Sequence, residues 1–187
     1  QASTTAARVL DGVEHLLPRQ IGHYDITDDN LIASPGSALP DGVLDFGDVM
    51  DSWAVGEIAV TVSSMLHHVD ITPAHVFPAI RAFDALRPLD ENEIDALWPL
   101  VVLRGAVLVL SGRQQNRIDD GNAYAINGLD REYRILEQAL SVPPEVMAGS
   151  IRHLLGRGPA SSSRWSDGRV FPEATKVAIV DAGTLSD

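Results

Sequence analysis

From Asp51 to Leu155 the apolar residues recur at helical spacing with few breaks, and this limits the chain to a fold built mainly of helices. Val55, Ile58, Val62, Met65 and Leu66 mark one face of a first helix, with Asp51 or Ser52 placed to cap it. Thr72-Pro73 has the form of an N-cap followed by a proline in the first turn. Asp90 and Glu93 have capping-box spacing, with Asp standing where Ser or Thr is usual. A long apolar helix is predicted over Trp98 to Gln115, and two more over Leu129 to Leu140 and Pro144 to Leu155, the last closed by Gly156. The richest apolar run, Leu97 to Leu110, is interrupted by Pro99 and Arg104. It falls short of the roughly 18 residues that a membrane span requires, so it reads as a buried helix.

Ahead of Asp51 the pattern differs. Thr5 to Leu17 has helical spacing and ends at Pro18. Short extended pieces follow at Gln20 to Tyr24, Asn30 to Ala33 and Gly42 to Phe46, with turn clusters at Ser34-Pro35-Gly36 and Pro40-Asp41-Gly42. Two strands around a turn-rich loop predict a hairpin. The fold class is therefore α+β, mainly α. Composition changes at Gly156, where Gly-Arg-Gly-Pro-Ala-Ser-Ser-Ser is linker-like, so 1–156 reads as one domain. Residues 157–187 read as a linker, with a strand-like run at Lys176 to Asp181 that would be an edge of this domain or the start of a following one.

Hydrophobic residues make up 45% of the 187, enough for a packed core. The net charge of −12 argues against a nucleic-acid partner, which calls for clustered basic residues, and it could draw a cationic substrate such as an amine. The absence of cysteine excludes disulfides, thiolate catalysis and cysteine-bound zinc. Gln1 to Leu17 lacks the basic start and apolar stretch of a signal peptide, and a cytoplasmic, membrane-free protein is expected. The chain has one lysine, Lys176.

Chemistry concentrates in His23-Tyr24-Asp25-Ile26-Thr27-Asp28-Asp29-Asn30 and Leu44-Asp45-Phe46-Gly47-Asp48. Phosphoryl transfer needs hard oxygen ligands for magnesium and a carboxylate beside the acceptor hydroxyl. Asp25 is the candidate base. Asn30 would face the metal through its amide oxygen, and Asp45 would be the main metal ligand. His23 would hold the loop by hydrogen bonds.

The stretch from Gln20 to about Ala59 resembles the aminoglycoside phosphotransferase and choline kinase family, small-molecule relatives of the protein kinases. The first motif matches that family's His-Gly-Asp-x4-Asn catalytic loop, and the second its metal-binding segment. The resemblance implies the helical C-lobe of a protein-kinase-like fold, with a short β-hairpin carrying the catalytic and metal-binding loops. It also implies ATP and Mg2+ as cofactors and a small hydroxylated, optionally amine-bearing acceptor. Within the family, Asp28-Asp29-Asn30 and the long tail look similar to the kinase module fused to a class III aminotransferase, whose relatives include hydroxylysine-kinase-like enzymes. Pyridoxal phosphate would then belong to a region outside this chain.

Two positions depart from the family pattern. Tyr24 stands where the family has glycine. The 22 residues before His23 contain no lysine, whereas the family's strand-rich N-lobe carries a phosphate-gripping lysine and a glycine-rich turn. The chain is thus expected to be a C-lobe fragment, inactive alone and completed by a missing N-lobe or neighbouring domains. The other reading is a degenerate kinase-like helical domain that serves as an interaction or scaffold module.

Several residues have plainer alternatives. Asp48 is a second partner for the metal or the cap of the next helix. Glu57 could meet a cationic substrate, or be a solvated or capping carboxylate. Trp53 could stack on a substrate, or pack. His67, His68 and Asp70 read as surface residues, because neighbours in a helix point about 100° apart. Arg113, Arg117 and Arg131 could line a phosphate site or form salt bridges along helix faces.

Overall fold

The computed structural model describes residues 2–118 and 123–158. The Lys176 to Asp181 strand and nearly all of the 157–187 segment lie outside the described residues. Among the described residues six helices dominate: α1 (Ala2–Val13), α2 (Ala54–Met65), α3 (Phe77–Leu86), α4 (Glu91–Ile118), α5 (Ala123–Leu140) and α6 (Pro144–Leu154). Between α1 and α2 run four short strands, β1 (Arg19–Gly22), β2 (Leu31–Ile32), β3 (Gly42–Val43) and β4 (Met50–Trp53). The mainly α character is as expected from the periodicity.

The strands form two separate antiparallel pairs. β2 pairs β3 with Leu31 opposite Val43, the hairpin around the Ser34 and Pro40 turns. β1 pairs β4 with Arg19 opposite Trp53 and Gly22 opposite Met50. The second pair corrects the expected helix start. Asp51 and Ser52 lie in β4 and not at a helix cap, and Asp48 lies exposed in a single helical turn (Phe46–Asp48) before β4. Trp53 occupies the N-cap position of α2 without a side-chain bond, and the Ala54 amide donates to the Pro18 carbonyl at 2.8 Å. The strand pairing thus satisfies a helix-end donor that a polar cap would otherwise take.

The sequence-derived caps further on are present. Thr72 and His75 form a reciprocal box at the turn Pro73–Val76. The Glu93 amide donates to Asp90 Oδ1 at 2.9 Å while the Asp90 amide donates to Glu93 Oε2 at 3.0 Å. Gly156, at φ +67, ends the chain's last described helix in the left-handed conformation that glycine adopts freely.

α4 is longer than the spacing predicts. It runs unbroken through Pro99, where a hydrogen bond to the preceding turn is missing. Leu97, Trp98, Val101 and Val102 are buried, and α4 packs on α1, α2, α5 and α6. By length and apolar content it could cross a bilayer, because its mean hydropathy absorbs Pro99 and Arg104; half of that window is buried inside the protein. Trp98 lies at the centre of the core, its Nε1 donating to the carbonyls of Ala139 and Val142 at 3.0 and 3.2 Å. This helical block supports the strand segment that carries both chemical motifs.

Candidate active site

The loop after β1 is held by its own polar groups. Tyr24 has φ +56, a left-handed conformation that disfavours side chains and explains why a glycine would suit this position. The tyrosine ring nevertheless fits. It lies against Gly22 and Gly56, where an added Cβ would come within 3.0 and 3.2 Å of ring atoms. Its hydroxyl donates to the Gln20 carbonyl at 3.1 Å, and its amide donates to Glu57 Oε2 at 3.1 Å. Burial, then the nearby Glu57 carboxylate, push the Tyr24 phenol above its ordinary pKa. Glu57 therefore anchors the loop backbone.

His23 is buried and ties the two motifs together. Its Nε2 lies 2.9 Å from the Leu44 carbonyl, and its Nδ1 accepts from the Asp25 amide at 3.3 Å. The His23 ring also meets Phe46 edge-on at 4.9 Å. The Leu44 amide in turn donates to the Asn30 carbonyl at 2.8 Å. Leu44 is thus bonded on both sides to the first motif, which brings its neighbour Asp45 to the same end of the β2–β3 hairpin as Asp25 and Asn30.

Asp25 carries the densest set of contacts. Asn30 Nδ2 donates to Asp25 Oδ2 at 2.7 Å and to its carbonyl at 2.9 Å. Arg104, reaching from α4, donates to Asp25 Oδ1 at 2.9 Å. The arginine that interrupts the apolar run of α4 is therefore paired to the loop carboxylate. The signal was available, since a lone cation in an apolar helix needs a partner, though the sequence does not say which. Asp45 has φ +55, and its Oδ1 accepts from the Gly47 amide at 3.2 Å. Its side chain and that of Asp48 are exposed. Trp53 packs on the hydrophobic core.

Asp25 and Asn30 open on a cleft of about 430 Å³ between the loop and helices α2, α4 and α5, lined also by Ser63, His67, Arg131 and Glu132. Arg131 pairs with Asp29 at 3.2 Å, one of the salt-bridge roles open to it. Arg113 sits over the Tyr133 ring at 5.3 Å. Glu132 is a residue that sequence reasoning missed. Its Oε2 is buried without a hydrogen-bond partner among the described residues, and burial raises its carboxyl pKa. His67 and His68 lie in the turn after α2, and they meet Asp28 and not Asp70. Because α2 ends at Met65, the angular separation expected within a helix does not apply, and the two rings lie 4.0 Å apart.

No family model matches the chain. Nor does any solved structure match it. Among curated proteins, the hydroxylysine kinase of Danio rerio is 33% identical over 88 residues, a stretch that covers 45% of this chain. The chain spans about a quarter (24%) of that relative's length. The similarity is to a small-molecule kinase.

Proposed function

We propose that this chain supplies the acceptor side of an ATP- and magnesium-dependent phosphotransferase that acts on the hydroxyl of a small, amine-bearing molecule. One observation carries the reading: the Asp25 carboxylate is fixed between Asn30 and Arg104 in the lining of a cleft. Each carboxylate oxygen keeps a second lone pair, so Asp25 can accept an acceptor hydroxyl, orient it and take its proton. The similarity to hydroxylysine kinase supports the same class.

The donor types suit magnesium. Asn30 turns its NH2 group to Asp25, which leaves Oδ1 as an oxygen donor, and Asp45 uses one oxygen on Gly47 and keeps the other. Both are hard oxygen ligands. Magnesium bound there would neutralise charge on the transferred phosphoryl group. His23 and the Asn30–Leu44 bond hold these two ligands in register. Around Asp45, Leu44, Phe46, Val49 and Met50 are exposed apolar side chains, a surface on which a nucleotide-holding unit would dock. Within the cleft, Glu132 would be a carboxylate for an ammonium group; Glu57, whose Oε2 accepts the Tyr24 amide, is not in the cleft lining.

The test is replacement of Asp25 by Asn in the full-length protein. ATP turnover with hydroxylysine, the acceptor class named by the relative, should fall by about 10²-fold or more, as for loss of a positioned base. The circular dichroism spectrum should not change. Retained turnover would remove Asp25 from the reaction.

A further inference from the structure

Three side chains outside the Asp25 contacts converge on one point. Asp28 Oδ2 lies 3.4 Å from His67 Nε2 and 3.3 Å from His68 Nε2, and one ligand atom from each residue lies within 4.8 Å of the others. Two donors on a tetrahedral Zn2+ stand about 3.4 Å apart, given bonds of about 2.0–2.1 Å. The carboxylate-to-histidine separations are therefore those of donors that share an ion.

The second nitrogen of His67 sets its tautomer. His67 Nδ1 lies 2.5 Å from the Ser64 carbonyl, an oxygen that only accepts. Nδ1 therefore carries the hydrogen, and in the neutral ring the Nε2 lone pair faces the Asp28 carboxylate, the arrangement in which both can ligate one cation. A backbone carbonyl behind the imidazole is also the usual support for a metal-binding histidine. Arg131 approaches Asp28 from its other oxygen, Oδ1, at 3.9 Å and makes its closer contact with Asp29, so Oδ2 is left to the histidines.

We propose that Asp28, His67 and His68 bind a divalent d-block cation, with Zn2+ the reference case. Two imidazoles and one carboxylate suit Zn2+ and not Mg2+, which takes oxygen donors. Three protein ligands leave a fourth position for water, on the side where His68 is half-exposed. Asp28 sits in the loop between Asp25 and Asn30, so the ion would staple that loop to the turn after α2. Asp28 and His67 also line the cleft beside Asp25, so the ion would border it, but Zn2+ binding needs no turnover to test.

Metal-free protein titrated calorimetrically with Zn2+ alone should bind one equivalent. Co2+ in its place should give the visible absorption of a tetrahedral site. The thermal midpoint should rise with Zn2+ and not with the same concentration of Mg2+. His68→Gln alters a half-exposed ring and should leave the fold intact while weakening Zn2+ binding by about tenfold or more. Asp28→Asn should do the same. Absence of binding in the parent protein, or binding that both variants leave unchanged, would overturn the proposal.

Discussion

At Tyr24 two residue-level effects oppose each other. The left-handed backbone costs a non-glycine residue about 1–2 kcal/mol. Truncating a buried aromatic costs about 3–5 kcal/mol, and Tyr24 is 8% exposed with its hydroxyl bonded. Packing wins, so Tyr24→Gly should lower stability by about 2–3 kcal/mol despite relieving the backbone, read as a lower denaturant midpoint. Glu132 shows a second conflict. Its folded carboxyl pKa is raised by burial, so the folded state binds the proton more readily than the unfolded chain does. That contribution is fully present below the ordinary carboxyl pKa and is lost as pH rises through the raised one. Glu132→Gln should therefore melt higher than the parent at neutral pH, and the gap should close on acidification below the ordinary carboxyl range. A gap independent of pH would show that charge burial is not its cause. Asp25, Asn30 and Asp45 were legible as residue types in order. Arg104 and Glu132 were not, because their meaning depends on residues brought in from 79 positions away or from a neighbouring helix.

Among the elements, α4 decides most. Its Gly105 lies where an added Cβ would stand 3.1 Å from the Leu136 backbone of α5. A β-branched side chain there must push apart helices that otherwise touch through their backbones. Gly105→Val should destabilise by about 1–3 kcal/mol, the range for overpacking, measured by thermal or denaturant unfolding. The boundaries of α4 were only partly readable. The Asp90–Glu93 box marks its start, as its spacing predicts. Pro99 suggests an interruption that packing on four neighbouring helices overrides. β4 was missed for the converse reason: Met50-Asp51-Ser52-Trp53 has little strand character alone, and its partner Arg19–Gly22 lies some 30 residues earlier.

Across the described residues, long-range ion pairs lock α6 to the rest. Arg152 of α6, itself buried, bonds Glu91 at 2.8 Å and Asp95 at 2.6 Å, both on α4. Arg157 bonds Asp84 at 2.7 Å, which ties the chain beyond α6 to α3. Arg152→Ala leaves Asp95 partly buried without its cation and should cost about 3–5 kcal/mol at most, seen as an earlier thermal transition. The mainly helical class, the Asp90–Glu93 capping box and the order of the polar residues in the two motifs can all be read from the amino acids without a structure. Those follow from spacing along one chain, where side-chain periodicity and backbone donors act locally. Folding settles which charges meet: Arg104 with Asp25, Glu57 with the Tyr24 amide, and His67 and His68 with Asp28. Such pairings depend on how helices pack across the core, and no local pattern encodes that distance. The Asp25 loop therefore reads as a candidate from its letters alone, but its orientation into a cleft is a property of the folded chain.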